Sequence, residues 1–160
     1  MDTQLVEMAK GIIEANQYMT IASCDESGNA WASTVCYAYD DDYKFYWVSF
    51  PNTKHQQNIK NNPNISFTIF DSHQDWGNGD GVQIEATAQQ VSLTDLPHAT
   101  KVYFSRNYPY GKNKVATAYG DGLRKLLQGK IYHFCKATPT KVWVPDPDAD
   151  VDARVEVKLN

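Results

Sequence analysis

The chain has 160 residues, of which 42% are hydrophobic, 21% charged and 12% aromatic. That is the size and composition of one globular domain with a core of its own, and it excludes disorder, collagen and coiled coil as descriptions of the whole. With 15 basic against 19 acidic residues and a net charge of −4, the chain lacks the broad electropositive surface that nucleic-acid binding draws on. Cys24, Cys36 and Cys135 are odd in number and far apart, with neither a CxxC pair nor a disulfide framework, and read as reduced thiols. Met1 to Lys10 contains acids and no apolar signal-like stretch, and no run approaches the ~20 apolar residues of a membrane span, so the expectation is a cytoplasmic protein with no membrane partner.

Leu5, Met8, Ala9, Ile12 and Ile13 recur at helical spacing between Asp2 and Asn16, which predicts an amphipathic opening helix with Asp2 or Thr3 at its start. From Tyr18 the period changes to two. Tyr18 to Cys24 alternates, residues 25–29 (DESGN) are turn chemistry, and Ala30 to Tyr39 reads as the returning strand of a hairpin. Asp40-Asp41-Asp42 turns into a third strand, Lys44 to Phe50, and three strands joined by short turns predict an antiparallel meander. Lys54 to Asn62 is polar apart from Ile59 and reads as a short surface helix, capped by Asn52 or Thr53 and ended by Pro63. Strands are predicted at Asn64 to Asp71 and Val82 to Ser92, with a glycine-rich loop from Ser72 to Gly81 between them. A second helix runs from Thr94 or Asp95 to about Tyr103, and Lys112 to Leu127 is mixed in pattern. Lys130 to Cys135 and Lys141 to Val144 close the sheet. Residues 1–145 form the domain and 146–160 an acidic tail, with Arg154 to Leu159 as a candidate edge strand.

Five or more antiparallel strands with small helices in the connections predict a barrel or sandwich, a fold class that binds ligands at a mouth or a subunit seam. The most informative segment is KFYWVSFPNTKHQQNIKNNP, Lys44 to Pro63, where a strand ends and a helix begins at Asn52-Thr53-Lys54-His55. Free amides at a helix N-terminus, a hydroxyl and a lysine together suit a phosphate monoester, although a plain helix cap with a solvated lysine has the same pattern. Other patterns carry less. His55, His73, His98 and His133 show no metal-ligand spacing, and no metal site is expected. Asp146, Asp148, Asp150 and Asp152 imitate a calcium loop, but Val151 and Val157 stand where it needs Gly and Glu. Gly77, Gly79 and Gly81 lack the Lys-Ser/Thr of a phosphate-binding loop, and no nucleophile elbow or Cys-His pairing is visible.

The order ASTVCYAYD (Ala32 to Asp40), KFYWVS, Thr53-Lys54, Asn61-Asn62-Pro63, ISFTIFDS and VQIEATAQQVS resembles the pyridoxamine 5'-phosphate oxidase-like family of FMN-binding split barrels. The resemblance covers about residues 5–92 and continues loosely to Val144. It implies a mainly β fold, a six-stranded antiparallel split barrel with peripheral helices. It also implies a homodimer with two FMN sites at the subunit seam. In that family the strand along the flavin and ribityl chain looks like Ala32, Ser33, Thr34 and Val35, the end of the next strand like Trp47, Val48 and Ser49, and the phosphate corner like Thr53 and Lys54 with His55 beside them. The last assignment coincides with the anion site argued from the residues alone.

The departures limit the activity. True oxidases carry an arginine where this chain has Ala32. Their glutamine near the ring would fall at about Gly81, and Gln83, two residues on and on the same strand face, is the nearby candidate. The arginine- and histidine-rich substrate motif of true pyridoxamine phosphate oxidases is absent from KIYHFCKATPTKVWVPD, so vitamin B6 oxidation is not expected. The expected function is FMN-dependent redox chemistry on an unidentified small molecule. The alternatives are a non-catalytic flavin-binding, sensing or electron-shuttling protein, a relative that takes deazaflavin F420 or haem, and a cofactor-free interaction module. A polyanionic F420 tail would want more basic residues than this acidic chain offers.

Overall fold

Leu5, Ala9 and Ile13 stack one above the other at four-residue spacing, and this stripe makes the first helix, α1 (Asp2–Ala15), one-sided: all three side chains are buried. The computed structural model describes residues 2–77, 79–108, 132–149 and 153–160. After α1 come strands β1 (Tyr18–Cys24), β2 (Ala30–Cys36), β3 (Ala38–Tyr39) and β4 (Phe45–Ser49), then helix α2 (Lys54–Asn61). Strands β5 (Asn64–Phe70) and β6 (Gly81–Gln90), helix α3 (Leu96–Ser105) and strands β7 (His133–Pro145) and β8 (Arg154–Val157) complete the order. The mixed stretch Lys112 to Leu127, the first residues of the strand expected from Lys130, and Asp150 to Asp152 of the tail lie outside the described residues.

All the strand pairs are antiparallel, in the order β2-β1-β5-β6-β7-β4-β3, with β8 on the far part of β7. Strands β2 and β3 flank opposite ends of this order, yet Tyr37 is the single residue between them. One stretch of chain therefore joins both ends of the sheet and curls it into a split barrel. With β2 and β3 counted as one bent strand the barrel has six strands, and β8 is an added edge.

The expected meander is present but bent: the strand expected from Ala30 to Tyr39 pairs with β1 through its first part, β2, and with β4 through its last residues, β3. Tyr37 makes the corner. It is fully buried, its N–H donates to the Gln17 carbonyl at 3.1 Å, and its hydroxyl lies 2.6 Å from the Ile13 carbonyl and 3.0 Å from that of Asn16. Arg106 lies over the Tyr37 ring, 4.2 Å from its centroid, and donates to the carbonyls of Tyr37, Ile13 and Asn16. Carbonyls at the end of a helix have no partners within it, so these donors close the C-terminus of α1 and fix the bend in the sheet together.

Alternation then divides the sheet into two faces. Met19 and Ile21 of β1, Phe45 and Trp47 of β4, Ile65, Phe67 and Ile69 of β5, and Val82 and Ile84 of β6 fill the interior, where the rings of Phe45 and Phe67 meet edge to face at 4.9 Å. Each fully buried side chain of this kind contributes about 1.5–3 kcal/mol. Tyr18, Thr20, Ala22, Ala32, Thr34, Ser66, Thr68 and Gln83 face outward on the same strands.

Two further expectations change. The helix at Lys54–Asn61 is not a surface helix, since His55, Gln56, Asn58 and Ile59 are buried against the barrel. The two closing strands are one, β7, which continues through Pro139 because the register against β6 shifts between Glu85 and Ala86, where the missing proline N–H would otherwise break the ladder. The tail's strand is present at Arg154–Val157, with Val157 and Leu159 buried in the core. Among the described residues no helix is long and apolar enough to cross a membrane.

Candidate functional site

Four elements converge at the N-terminus of α2. The β1–β2 turn comes first. Gly28, at φ +81°, lets the chain reverse, and the Asp25 carboxylate accepts the backbone N–H groups of Ser27 and Asn29, each at 3.0 Å, and the Asn29 side-chain amide at 3.2 Å. These donors hold the Asp25 carboxyl down at about 2, the Asn29 backbone N–H contributing most. The second oxygen of that carboxylate faces Lys54, whose Nζ lies 3.2 Å away.

Strand β2 follows. Its alternation sends Ser33 toward α2 and leaves Ala32 and Thr34 on the outer face, Thr34 hydrogen-bonded to Thr20 at 3.2 Å. The end of β4 supplies Ser49, and α2 supplies Thr53 and His55. His55 is 6% exposed and ties these hydroxyls together, with Nδ1 3.1 Å from Ser33 and Nε2 2.8 Å from Ser49 and 3.3 Å from Thr53. The indole N–H of Trp31 donates to Ser33 at 3.0 Å, so the Ser33 oxygen is shared between the indole and the His55 ring. Burial pushes the His55 imidazole below its ordinary value, which keeps it neutral at physiological pH.

Thr53 occupies the cap position with extended backbone, but its hydroxyl turns back to the Phe50 carbonyl at 3.0 Å and makes no cap bond. The first turn of α2 thus offers backbone donors without a capping side chain, and Lys54 stands beside them. Of the residues singled out from sequence, the structure brings together Ser33, Ser49, Thr53, Lys54 and His55. Ala32, Thr34 and Gln83 lie apart on the outer face, where Thr34, Thr20, Thr68 and Gln83 form one cross-strand row. Val35 packs against the core, Val48 is half-buried, and Trp47 is fully buried with its indole N–H lacking a hydrogen-bond partner.

Sequence reasoning missed three participants. Asp25 reads as a turn residue, Trp31 as a strand aromatic, and Asn58, which donates to Ser23 at 3.1 Å and is 1% exposed, as one more polar position of a surface helix. A period-3.6 check of α2 would have found Asn58, since it shares a face with His55 and Ile59. The outer face also holds a groove of about 460 Å³ bordered by Tyr18, Thr20, Thr34, Thr68, Phe70 and His73. His73 is held by Asp71 at 3.1 Å. Among the described residues no three His, Cys, Asp or Glu side chains are grouped to hold a metal ion.

Comparison with known proteins agrees with this architecture. Among solved structures, a haem-binding protein from Mycobacterium smegmatis superposes with a TM-score of 0.72 at 15% identity, over 96% of this chain and 57% of that one. The chain thus spans little more than half of that protein's length. A Clostridium acetobutylicum protein related to general stress protein 26, of the pyridoxinephosphate oxidase family, gives 0.69 at 12% identity over 99% and 97% of the two chains. The haem storage protein HutZ from Vibrio cholerae gives 0.62 at 13% identity over 88% and 94%. At such identities the likeness is one of fold. No curated protein sequence matches the chain. The family model described as pyridoxamine 5'-phosphate oxidase, however, matches residues 5–134, from the buried face of α1 to the start of β7, and the chain belongs to that family.

Proposed function

We propose that this chain is an FMN-binding member of its family, using the flavin for redox chemistry on a small molecule. The observation that carries the reading is the meeting of Ser33, Ser49 and Thr53 on the His55 imidazole beside Lys54 and the uncapped first turn of α2. The corner fits a phosphate monoester: Lys54 and the amides of the first turn of α2 bind the phosphate, and Thr53 borders it. The strand Ala32 to Val35 supplies backbone groups for the ring edge. Bound there, FMN would supply hydride or electron transfer, while the chain's part is to hold and orient it.

The flat outer face of β1, β2 and β5, with Ala22 paired to Ala32 and to Ser66, is small-residued and edged by exposed Tyr18 and Phe70, which suits pairing with a second copy. A homodimer sharing its FMN sites across that seam follows from the family's architecture. A substrate carrying a phosphate finds no arginine in the stretch 130–146, so vitamin B6 phosphates fit it poorly. A polyanionic F420 tail fits less well still, because Asp25 already faces Lys54.

A second reading, haem binding, is favoured by His73. Its side chain is 90% exposed, and Asp71 holds Nδ1, which leaves Nε2 available to a metal at the edge of the outer groove. Calorimetric titration with FMN, riboflavin and hemin in turn decides between them. Micromolar or tighter FMN binding, at one per chain and well above riboflavin, is the expected result. Tight hemin binding with no heat from FMN would replace this reading with the second.

A further inference from the structure

We propose that Asp25 is a specificity-determining residue of the phosphate corner, an internal anion that competes for Lys54 and weakens the hold on a phosphate dianion; the inference rests on the flavin reading above. Its oxygen Oδ2 lies 3.2 Å from Lys54 Nζ and takes up one of the three N–H donors that the ammonium group could turn to a phosphate. The carboxylate does not depend on Lys54 for its place. Ser27, Asn29 and the Asn29 side chain hold Oδ1 from within the turn, so Asp25 stays charged and fixed whether or not the lysine leaves.

Two consequences follow from that geometry. An incoming phosphate meets a lysine already paired with a carboxylate and the negative charge of that carboxylate beside it, on a face where β2 carries Ala32 and no cation. A ligand with the same ring and polyol but no phosphate meets neither penalty. The corner therefore narrows the margin by which FMN is preferred to riboflavin.

The test is Asp25→Asn, assayed by equilibrium binding of FMN and riboflavin to the full chain. The substitution keeps an oxygen to accept the Ser27 and Asn29 backbone amides and places an uncharged NH₂ where Oδ2 meets Lys54 and the Asn29 side chain, so the backbone bonds of the turn are retained. With one unit of like charge removed at about 6 Å, FMN should bind about tenfold tighter at low salt, with riboflavin unchanged within twofold. Raising the salt concentration should shrink the FMN gain. An unchanged FMN affinity in Asp25→Asn, with FMN still bound by the wild type, overturns the inference and leaves the flavin reading standing. Absence of binding by both flavins to the wild type overturns the flavin reading itself. Should Asp25→Asn fold poorly by circular dichroism, Asp25→Ser, which retains a short side-chain acceptor for the turn, provides the same comparison.

Discussion

Ser49 and His55 sit on either side of the turn from β4 into α2, and the hydroxyl oxygen of one lies 2.8 Å from Nε2 of the other, both side chains being less than a tenth exposed. The contact fixes the entry angle of α2 against the barrel. It also makes one neutral imidazole responsible for the placement of Ser33 and Thr53, the other polar groups of the site.

Acidification should expose that dependence. An unfolded histidine titrates near 6.5, and burial holds His55 lower in the folded chain, so below 6.5 the unfolded state takes up the proton more readily. The stability tied to the neutral ring is complete above that value and is lost as pH falls through the lowered one. Melting temperatures recorded from pH 7.5 to 5 should decline more steeply for the wild type than for His55→Gln; parallel curves would mean that the ring is not held neutral.

Lys54→Ala should weaken FMN binding by about 1.5 to 3 kcal/mol, roughly ten- to a hundredfold, the range for a charged hydrogen-bond partner. Riboflavin affinity should scarcely move. Equal losses for the two ligands would mean that the lysine acts on the fold and not on the phosphate.

The outer face gives a separable test. Ala22 is exposed on the outer face and paired across the strands with Ala32, so Ala22→Arg should leave the fold, read by far-ultraviolet circular dichroism, unchanged. On a sizing column with light scattering the variant should run as a monomer where the wild type runs as a dimer. A dimeric Ala22→Arg would place the partner on another face.

The three thiols should differ in reactivity. Cys135 is fully buried and its thiol is pushed up to about 12 by burial, and burial raises Cys36 as well. Brief iodoacetamide treatment at pH 8, followed by mass spectrometry of peptides, should label Cys24 first and Cys135 last. Early labelling at Cys135 would show that β7 opens at its start.

Much of the barrel was legible because alternation is a local signal. Tyr18–Cys24, Asn64–Phe70 and the strand from Gly81 carry their inward and outward sides in the identity of every second residue, and α1 does so through Leu5, Ala9 and Ile13. The corner at Tyr37 was not legible, since nothing near it breaks the strand pattern; what bends the chain is a set of donors to Ile13 and Asn16 on another element and Arg106 far downstream. The same limit applied to the site. Thr53, Lys54 and His55 are contiguous and announce a helix start, whereas the pairing of Lys54 with Asp25 spans two elements and turns on which way a turn carboxylate faces. In α2 the polar composition suggested a solvated helix, and burial of Gln56 against Cys135 and of Asn58 against Ser23 overrode it by supplying the partners that buried amides require.

The central claim, that this barrel holds FMN at the β2–β4–α2 corner, is tested most directly by one visible absorption spectrum. The protein would be loaded with FMN and passed over a sizing column before it is read. The account predicts a flavin spectrum at one FMN per chain, carried by a dimer. A colourless protein after the column would contradict it, as would retention of hemin with a Soret band where FMN washes away.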